Sequence, residues 1–238
     1  MSDNHNPNCQ HCSVRFKSIF CKLSEDEVMV LNRKKVCGHY KKGDQIFMEG
    51  RSANSIFCIN GGKVKITQIG EEGKEQILHL VGEGDVIGYR SVLSGEPYSV
   101  SATALEDSSI CQIPKSMFQQ MIESDNHLAL EVIKILSDDL KFAERNITEF
   151  AQKPVKERIA EALLFIKETY GYESDGETLN VNLTREEIAN IVGTATETTI
   201  RVLSDLKKHN ILELKGRQIK IKDLNELVHI ANIHDHMY

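Results

Sequence analysis

The chain lacks an excess of positive charge: 29 Lys and Arg stand against 35 Asp and Glu, for a formal net charge of −6. It is therefore no polycation, and any contact with nucleic acid has to concentrate positive charge locally. No apolar run approaches the ~18 residues needed to cross a bilayer. Residues 1–10 are polar and lack the apolar core of a secretory signal, so a cytoplasmic chain with no membrane partner is expected. Motifs for catalysis are missing too. There is no P-loop, no G-x-S-x-G and no H-E-x-x-H, and the expectation is that the protein is not an enzyme. With 238 residues the chain can bury a core without cross-links or metal. In a reducing compartment its six cysteines read as thiols, metal ligands or redox sensors rather than structural disulfides.

What is present changes character along the chain. Residues 1–24 are polar and carry Cys9, Cys12 and Cys21, with little regular structure expected before Phe16. Ser24 is a candidate N-cap for a short helix reaching Asn32, and Glu25, Asp26 and Glu27 suit the positive end of its dipole. From Val36 to Ile113, short apolar runs alternate with glycine turns such as Asn60-Gly61-Gly62 and Gly82-Glu83-Gly84-Asp85. That rhythm predicts an antiparallel sandwich or barrel. After Pro114 the period becomes helical. Ala129, Ile133, Leu136, Leu140, Ala143, Ile147 and Phe150 follow alternating steps of four and three, an a/d seam. The seam predicts a two-stranded dimer helix with Ile133, Leu136, Leu140 and Ile147 at the interface. A surface helix packed on its own domain is the alternative, and Ile135 and Phe142 lie off the seam, placed to meet the sensor domain. Lys153-Pro154 marks a break, followed by a helix over residues 155–169 with Ile159, Leu163 and Ile166 inward. The domains read as 1–24, 25–123, 124–152 and 153–238.

Residues 184–222 carry the most specific pattern. Thr184 with Glu187, and Thr194 with Glu197, each have the spacing of a capping box and open two short helices across Gly193. On the second, Ile200, Leu203 and Leu206 are expected inward, with Glu197, Arg201, Ser204 and Lys208 outward. Two short helices across a glycine turn predict a helix-turn-helix. Leu212 to Ile221 then alternates around Gly216 as a hairpin wing with Lys215 and Arg217 at its tip. Residues 185–222 hold eight Lys or Arg against five Asp or Glu, the local positive excess the whole chain lacks. An arginine can grip guanine with two hydrogen bonds and a glutamate can accept from cytosine, so Arg201 and Glu197 are candidates to read bases. The alternative for that pair is an i,i+4 ion pair.

These segments resemble the Crp/Fnr family of bacterial regulators, from about Cys9 to Leu227. The resemblance is carried by Gly84-Asp85-Val86-Ile87-Gly88, by Ser109-Ile110-Cys111-Gln112-Ile113-Pro114, and above all by residues 184–208. It implies an α+β chain: an N-terminal antiparallel, jelly-roll-like β-roll, a long dimerisation helix and a C-terminal winged helix-turn-helix. It also implies a homodimer on a two-fold-related site in double-stranded DNA, with RNA polymerase as a further partner. The DNA-facing set is then Thr184, Arg185, Thr194, Thr196, Glu197, Thr198, Ile200, Arg201, Lys208, Lys215 and Arg217, with Ile200 suited to a thymine methyl.

The signal stays open. The effector pocket implied by the resemblance comprises Gly88, Tyr89, Arg90, Tyr98 and Ser99. Tyr89 stands where cyclic-AMP-binding relatives place a glutamate, and no arginine occurs in residues 91–144 to clamp a phosphate, so cyclic AMP is not expected. Oxygen-sensing relatives hold an iron–sulfur cluster on clustered N-terminal cysteines and one distant cysteine. Here Cys9, Cys12, Cys21 and Cys111 are the candidate ligands. Eight residues separate Cys12 from Cys21, a longer spacing than those relatives show, and Ser18 stands where the shorter spacing would place a cysteine. Zinc, a redox switch or no metal are the alternatives, with Cys58 read as buried packing and Cys37 without a partner signal. A haem-bound gas sensor is a further option, although His39, His79 and His127 have no ligand spacing. A different class of function, a ligand sensor acting through protein contacts, also remains.

Overall fold

A computed structural model of the chain describes residues 7–232. Residues 1–6 of the expected N-terminal segment and 233–238 of the expected C-terminal domain lie outside the described residues. The chain forms two compact units, divided so that residues up to 68 group with 79–141, and 69–78 group with 142 onward.

The first unit opens with two 3-10 turns, Cys9–His11 and Ser13–Lys17, where the sequence reading expected little regular structure. Helix α1, Glu25–Lys34, follows. The Ser24 hydroxyl accepts from the Glu27 N–H and the Glu27 carboxylate accepts from the Ser24 N–H, the full capping box. Eight strands come next: β1 Val36–Tyr40, β2 Gln45–Phe47, β3 Ser55–Gly61, β4 Val64–Ile69, β5 Glu75–Val81, β6 Val86–Ile87, β7 Ser101–Ala104 and β8 Ser108–Pro114, with helix α2, Tyr89–Ser94, between β6 and β7. They build two four-stranded sheets in the orders β1-β8-β3-β6 and β2-β7-β4-β5. The expected antiparallel β-roll is therefore present.

Ile56 and Ile59 of β3 and Ile110 and Ile113 of β8 are three residues apart on their strands and so enter the core from opposite faces of one sheet, while alternation places Val64, Ile66 and Ala102 inward from the other. Helix α3, Lys115–Ser124, adds Met117, Phe118 and Met121 to the same core. Helix α4, Asn126–Gln152, buries only Leu128 and Val132. Ile135 and Leu136 are partly buried against the first unit's core, so Leu136 is not the free seam residue expected. Ile133, Leu140 and Ile147 are 57%, 61% and 70% exposed. Spaced seven apart, they form an uncovered apolar stripe on this helix.

In the second unit, the break at Pro154 falls where expected, and helix α5, Val155–Tyr170, buries Ile159, Leu163 and Ile166. Glu161 on α5 is buried. One of its oxygens accepts from Arg145 Nη2 at 2.6 Å and from Lys153 Nζ at 2.7 Å. A buried carboxylate needs such partners, and these two tie the last turns of α4 to α5 across the proline. Phe142 packs against Phe165 of α5. Helices α6, Arg185–Val192, and α7, Thr196–Lys208, strands β9, Leu212–Lys215, and β10, Gln218–Ile221, and helix α8, Leu224–Ala231, complete the unit.

Phe118 is fully buried at the centre of the first unit's core. Phe118→Ala is expected to lower stability by about 3–5 kcal/mol. Chemical denaturation should show a lower midpoint at an unchanged m-value, and an unmoved midpoint would contradict this packing.

Candidate nucleic-acid interface and thiol cavity

Helix α6 begins as the sequence predicts. The Thr184 hydroxyl accepts from the Glu187 N–H at 3.0 Å, and the Glu187 carboxylate accepts from the Thr184 N–H at 2.8 Å. Gly193 ends the helix in the left-handed region at φ +66, a conformation glycine adopts without strain. The second capping box does not form. The N-cap of α7 is Ala195, without a side-chain cap bond. The Thr194 N–H donates back to the Ala189 carbonyl, which keeps Thr194 within the turn, and Glu197 falls one position too early to close the box. The inward face also shifts. Thr199, Leu203 and Leu206 are buried, while Ile200 is 47% exposed. Ile200 thus joins Glu197, Arg201, Ser204 and Lys208 on one exposed face, with Thr196 and Thr198 half-exposed at the start of the helix.

The hairpin wing pairs Leu212 with Ile221 and Lys215 with Gln218. Its cations divide into two groups. Lys220 pairs with Asp175 and Glu177, and Lys222 with Glu177. These contacts hold Lys220 above and Glu177 below their ordinary ranges. Lys215 and Arg217, by contrast, are exposed, and among the described residues they have no ion-pair partner. Arg185, expected to face DNA, donates from Nη2 to the Gly216 carbonyl at 3.0 Å. It ties the start of α6 to the wing turn. The result is a face of Ile200, Arg201 and Lys208 with two unpaired cations on the wing.

The expected effector residues gather around α2. Gly88 precedes it at φ +81, and a Cβ there would meet the Tyr98 ring at 3.2 Å. Tyr98 stacks on Phe47 with centroids 4.2 Å apart and donates to the Ser55 carbonyl at 2.6 Å. Arg90 donates to the Ser99 hydroxyl at 2.9 Å. The Tyr89 hydroxyl donates to the Asp139 carboxylate on α4. Burial and this bond push the Tyr89 phenol well above its ordinary range. Burial pulls the nearby His79 imidazole down, against the opposing charge of Asp139.

The cysteines are distributed differently from the sequence expectation. Cys37 and Cys111 form a disulfide between β1 and β8. This corrects both the preference for unbridged cysteines and the reading of Cys37 as partnerless. Cys111 also lies opposite Cys58 in the β3–β8 register. A cavity of about 30 Å³ is lined by Cys9, Cys12, Cys58 and Cys111 together with Arg15, Ser18, Lys35 and Asn60. Cys21 is not among its walls. Arg15 fastens the N-terminal loop here, donating to the carbonyls of Cys9, Phe20 and Cys21. Lys35 reaches the Pro7 carbonyl at 2.7 Å and the Cys37 sulfur at 3.2 Å. The Cys12 thiol donates to Asn60 Oδ1 at 3.3 Å. Burial raises the Cys9 thiol and pushes the Cys58 thiol up to about 12. Among the described residues, no three His, Cys, Asp or Glu side chains converge as a metal-holding group. His39 and His127 are exposed and His79 is half-buried.

Two domain families match this chain. Residues 38–125 match the cyclic nucleotide-binding domain family, and residues 157–230 match the Crp-like helix-turn-helix domain family. The fumarate and nitrate reduction regulatory protein of Vibrio cholerae is 28% identical over 230 residues, covering 94% of this chain and 90% of the relative. An anaerobic regulatory protein of Haemophilus influenzae is 28% identical over 94% of this chain and 87% of its own length. A Crp/Fnr-family transcriptional regulator from Thermus thermophilus superposes with a TM-score of 0.70 at 26% identity, covering 83% of this chain and 98% of that one. The chain belongs to the Crp/Fnr family. It is a transcription regulator, not an enzyme, with a helix-turn-helix DNA-binding domain.

Two structural features of this Crp/Fnr regulator were not expected from the sequence. One is the Cys37–Cys111–Cys58 row, whose only sequence signal is a cysteine in each of three strands that the roll brings together. The other is Asp139, which the heptad pattern marks only as an outward polar position. Tyr89→Phe removes the hydroxyl that partners Asp139. It should lower stability by about 1–3 kcal/mol, because a part-buried charge loses its donor. A denaturation midpoint equal to that of the parent chain would show that this bond contributes nothing.

Proposed function

We propose that this regulator binds a two-fold-related site in double-stranded DNA as a homodimer, and that its N-terminal unit reports redox state through its cysteines. The observation that carries the DNA reading is the exposed face of α7, with Glu197, Ile200, Arg201 and Lys208 beside the unpaired cations of the wing. Glu197 and Arg201 would read base edges, and Lys215 and Arg217 would neutralise phosphates. RNA polymerase is the further partner this reading implies.

Homodimerisation rests on the uncovered Ile133, Leu140 and Ile147 stripe, which a second copy of α4 would cover by heptad packing. The redox reading rests on the gathering of thiols at one cavity beside a disulfide, and on relatives named for anaerobic regulation and for fumarate and nitrate reduction. A DNA-binding protein works where thiol reductants keep such bonds transient, so a bond at Cys111 can follow the redox state. Cyclic AMP is not the signal in this reading. Tyr89 and Tyr98 fill the region, and Arg90, the cation there, bonds Ser99.

Arg201→Ala should reduce discrimination between the cognate duplex and a scrambled one by about 1–3 kcal/mol. Arg217→Ala should instead weaken both duplexes alike and lower the salt slope by about 1. Fluorescence anisotropy over a salt series separates the two, and unchanged discrimination in Arg201→Ala would remove Arg201 from base reading. Leu140→Asp should shift the protein from dimer to monomer and weaken DNA binding with it. Sedimentation at micromolar concentration tests this, and a retained dimer would exclude the α4 stripe as the interface.

A further inference from the structure

Three cysteines form a row across one sheet. The strand order β1-β8-β3-β6 places β8 between β1 and β3. Cys37 of β1 and Cys58 of β3 are each directly opposite Cys111 of β8, and opposed residues project from the same face. The disulfide joins two members of the row, Cys37 and Cys111. Cys58 remains a thiol on the other side of Cys111. A thiolate that breaks a disulfide attacks one sulfur from the side away from the leaving sulfur, and Cys58 stands on that side. The small cavity adjoins Cys58 and Cys111 but not Cys37. It gives the two sulfurs room to approach between strands about 4.8 Å apart. The leaving sulfur is prepared as well. Lys35, buried at the C-cap of α1, donates to Cys37 Sγ at 3.2 Å, and an ammonium beside a sulfur stabilises its thiolate. Burial holds the proton on Cys58, so the bond rests with Cys37.

We propose that the Cys37–Cys111–Cys58 row is an internal thiol–disulfide exchange site, in which Cys111 passes from Cys37 to Cys58. The proposal rests on the redox reading above and names the cysteines that serve it. Cys58 gives up its thiol proton, and its sulfur forms a bond to Sγ of Cys111. The Cys37–Cys111 bond breaks, and its electron pair leaves on Cys37 beside the Lys35 ammonium. The proton passes to Cys37 or to solvent, and no oxidant or reductant is consumed. A dithiol reductant supplies two electrons and two protons to either bond and is itself oxidised to a disulfide. Before the exchange the bond ties β8 to the edge strand β1. Afterwards it ties β8 to β3, and β1 is no longer cross-linked. Lys35 also donates to the Pro7 carbonyl at 2.7 Å, so a thiolate at Cys37 competes with the N-terminal loop for the same ammonium. The exchange thereby connects the sheet to the segment that carries Cys9 and Cys12.

The test uses the full chain carrying the Cys37–Cys111 bond, formed with oxidised glutathione and then freed of small thiols. It is incubated undenatured with iodoacetamide and quenched with acid, and its disulfides and alkylated cysteines are mapped by mass spectrometry. Each exchange exposes Cys37 to irreversible alkylation, so even a slow exchange accumulates. The expected product carries alkylated Cys37 and a Cys58–Cys111 bond. Cys58→Ala should keep the Cys37–Cys111 bond, and Cys37→Ser should form Cys58–Cys111 with oxidised glutathione. The trap in the parent chain needs no variant, so it decides the matter even where a substitution disturbs the sheet. Retention of the Cys37–Cys111 bond through the incubation overturns the exchange, as does a product in which Cys9 or Cys12 has taken Cys111. A chain that forms no Cys37–Cys111 bond with excess oxidised glutathione overturns it too. DNA affinity of the dithiol-reduced and the bonded chain, read by fluorescence anisotropy, tests the redox reading separately. Affinities that differ while the trap yields no Cys58–Cys111 remove the exchange alone. Equal affinities overturn the redox reading and the role given to the exchange with it.

Discussion

The pairing of β3 with β8 is the constraint on which the first unit depends. Its register sets Ile56 against Ile113 and Ile59 against Ile110, and all four side chains enter the core. Because side chains alternate along a strand, Ile56 and Ile113 share one face with Cys58 and Cys111 while Ile59 and Ile110 take the other, and a slip of one residue would exchange the two faces. The same register sets Cys58 opposite Cys111, with Cys37 on the far side of Cys111 across β1. Core packing and cysteine chemistry are therefore fixed by one set of strand contacts. The thiol row cannot be moved without also moving the isoleucines that stabilise the roll.

A second constraint acts in the C-terminal unit. The helical chain is interrupted at Pro154, and Glu161 binds Arg145 and Lys153 across the interruption. Removing either cation would leave a buried carboxylate short of partners, a large penalty at low dielectric. The wing is held by comparable means. Asp175 and Glu177 engage Lys220 and Lys222, and Arg185 grips the Gly216 carbonyl. Among the cations left over are Arg201 and Lys208 on α7 and Lys215 and Arg217 on the wing. Ion pairing thus separates the basic residues that build the domain from those available to phosphate, a distinction that a count of charges does not make.

Much of this architecture was legible in the residues. The Ser24 and Thr184 capping boxes mark their helix starts because both partners lie within one turn. Pro154 marks its break because the ring excludes helix before it. Ile133, Leu140 and Ile147 declare an apolar stripe by period alone. The misreadings arose where a local pattern met a non-local competitor. Thr194 has the spacing of a cap, but the turn closing α6 takes its N–H. Leu136 continues the heptad, yet the first unit's core covers it.

The sequence by itself determined the element types, the winged helix-turn-helix pattern and the family, because these depend on short-range periodicity, caps and turn residues. Only the tertiary structure decided which cysteines meet. Cys12 and Cys21 are near in sequence, yet Cys12 shares its cavity with Cys58 and Cys111, residues from two other parts of the chain. Strand pairing and loop anchoring by Arg15 and Lys35 bring these sulfurs together, and neither leaves a trace in the spacing between cysteines.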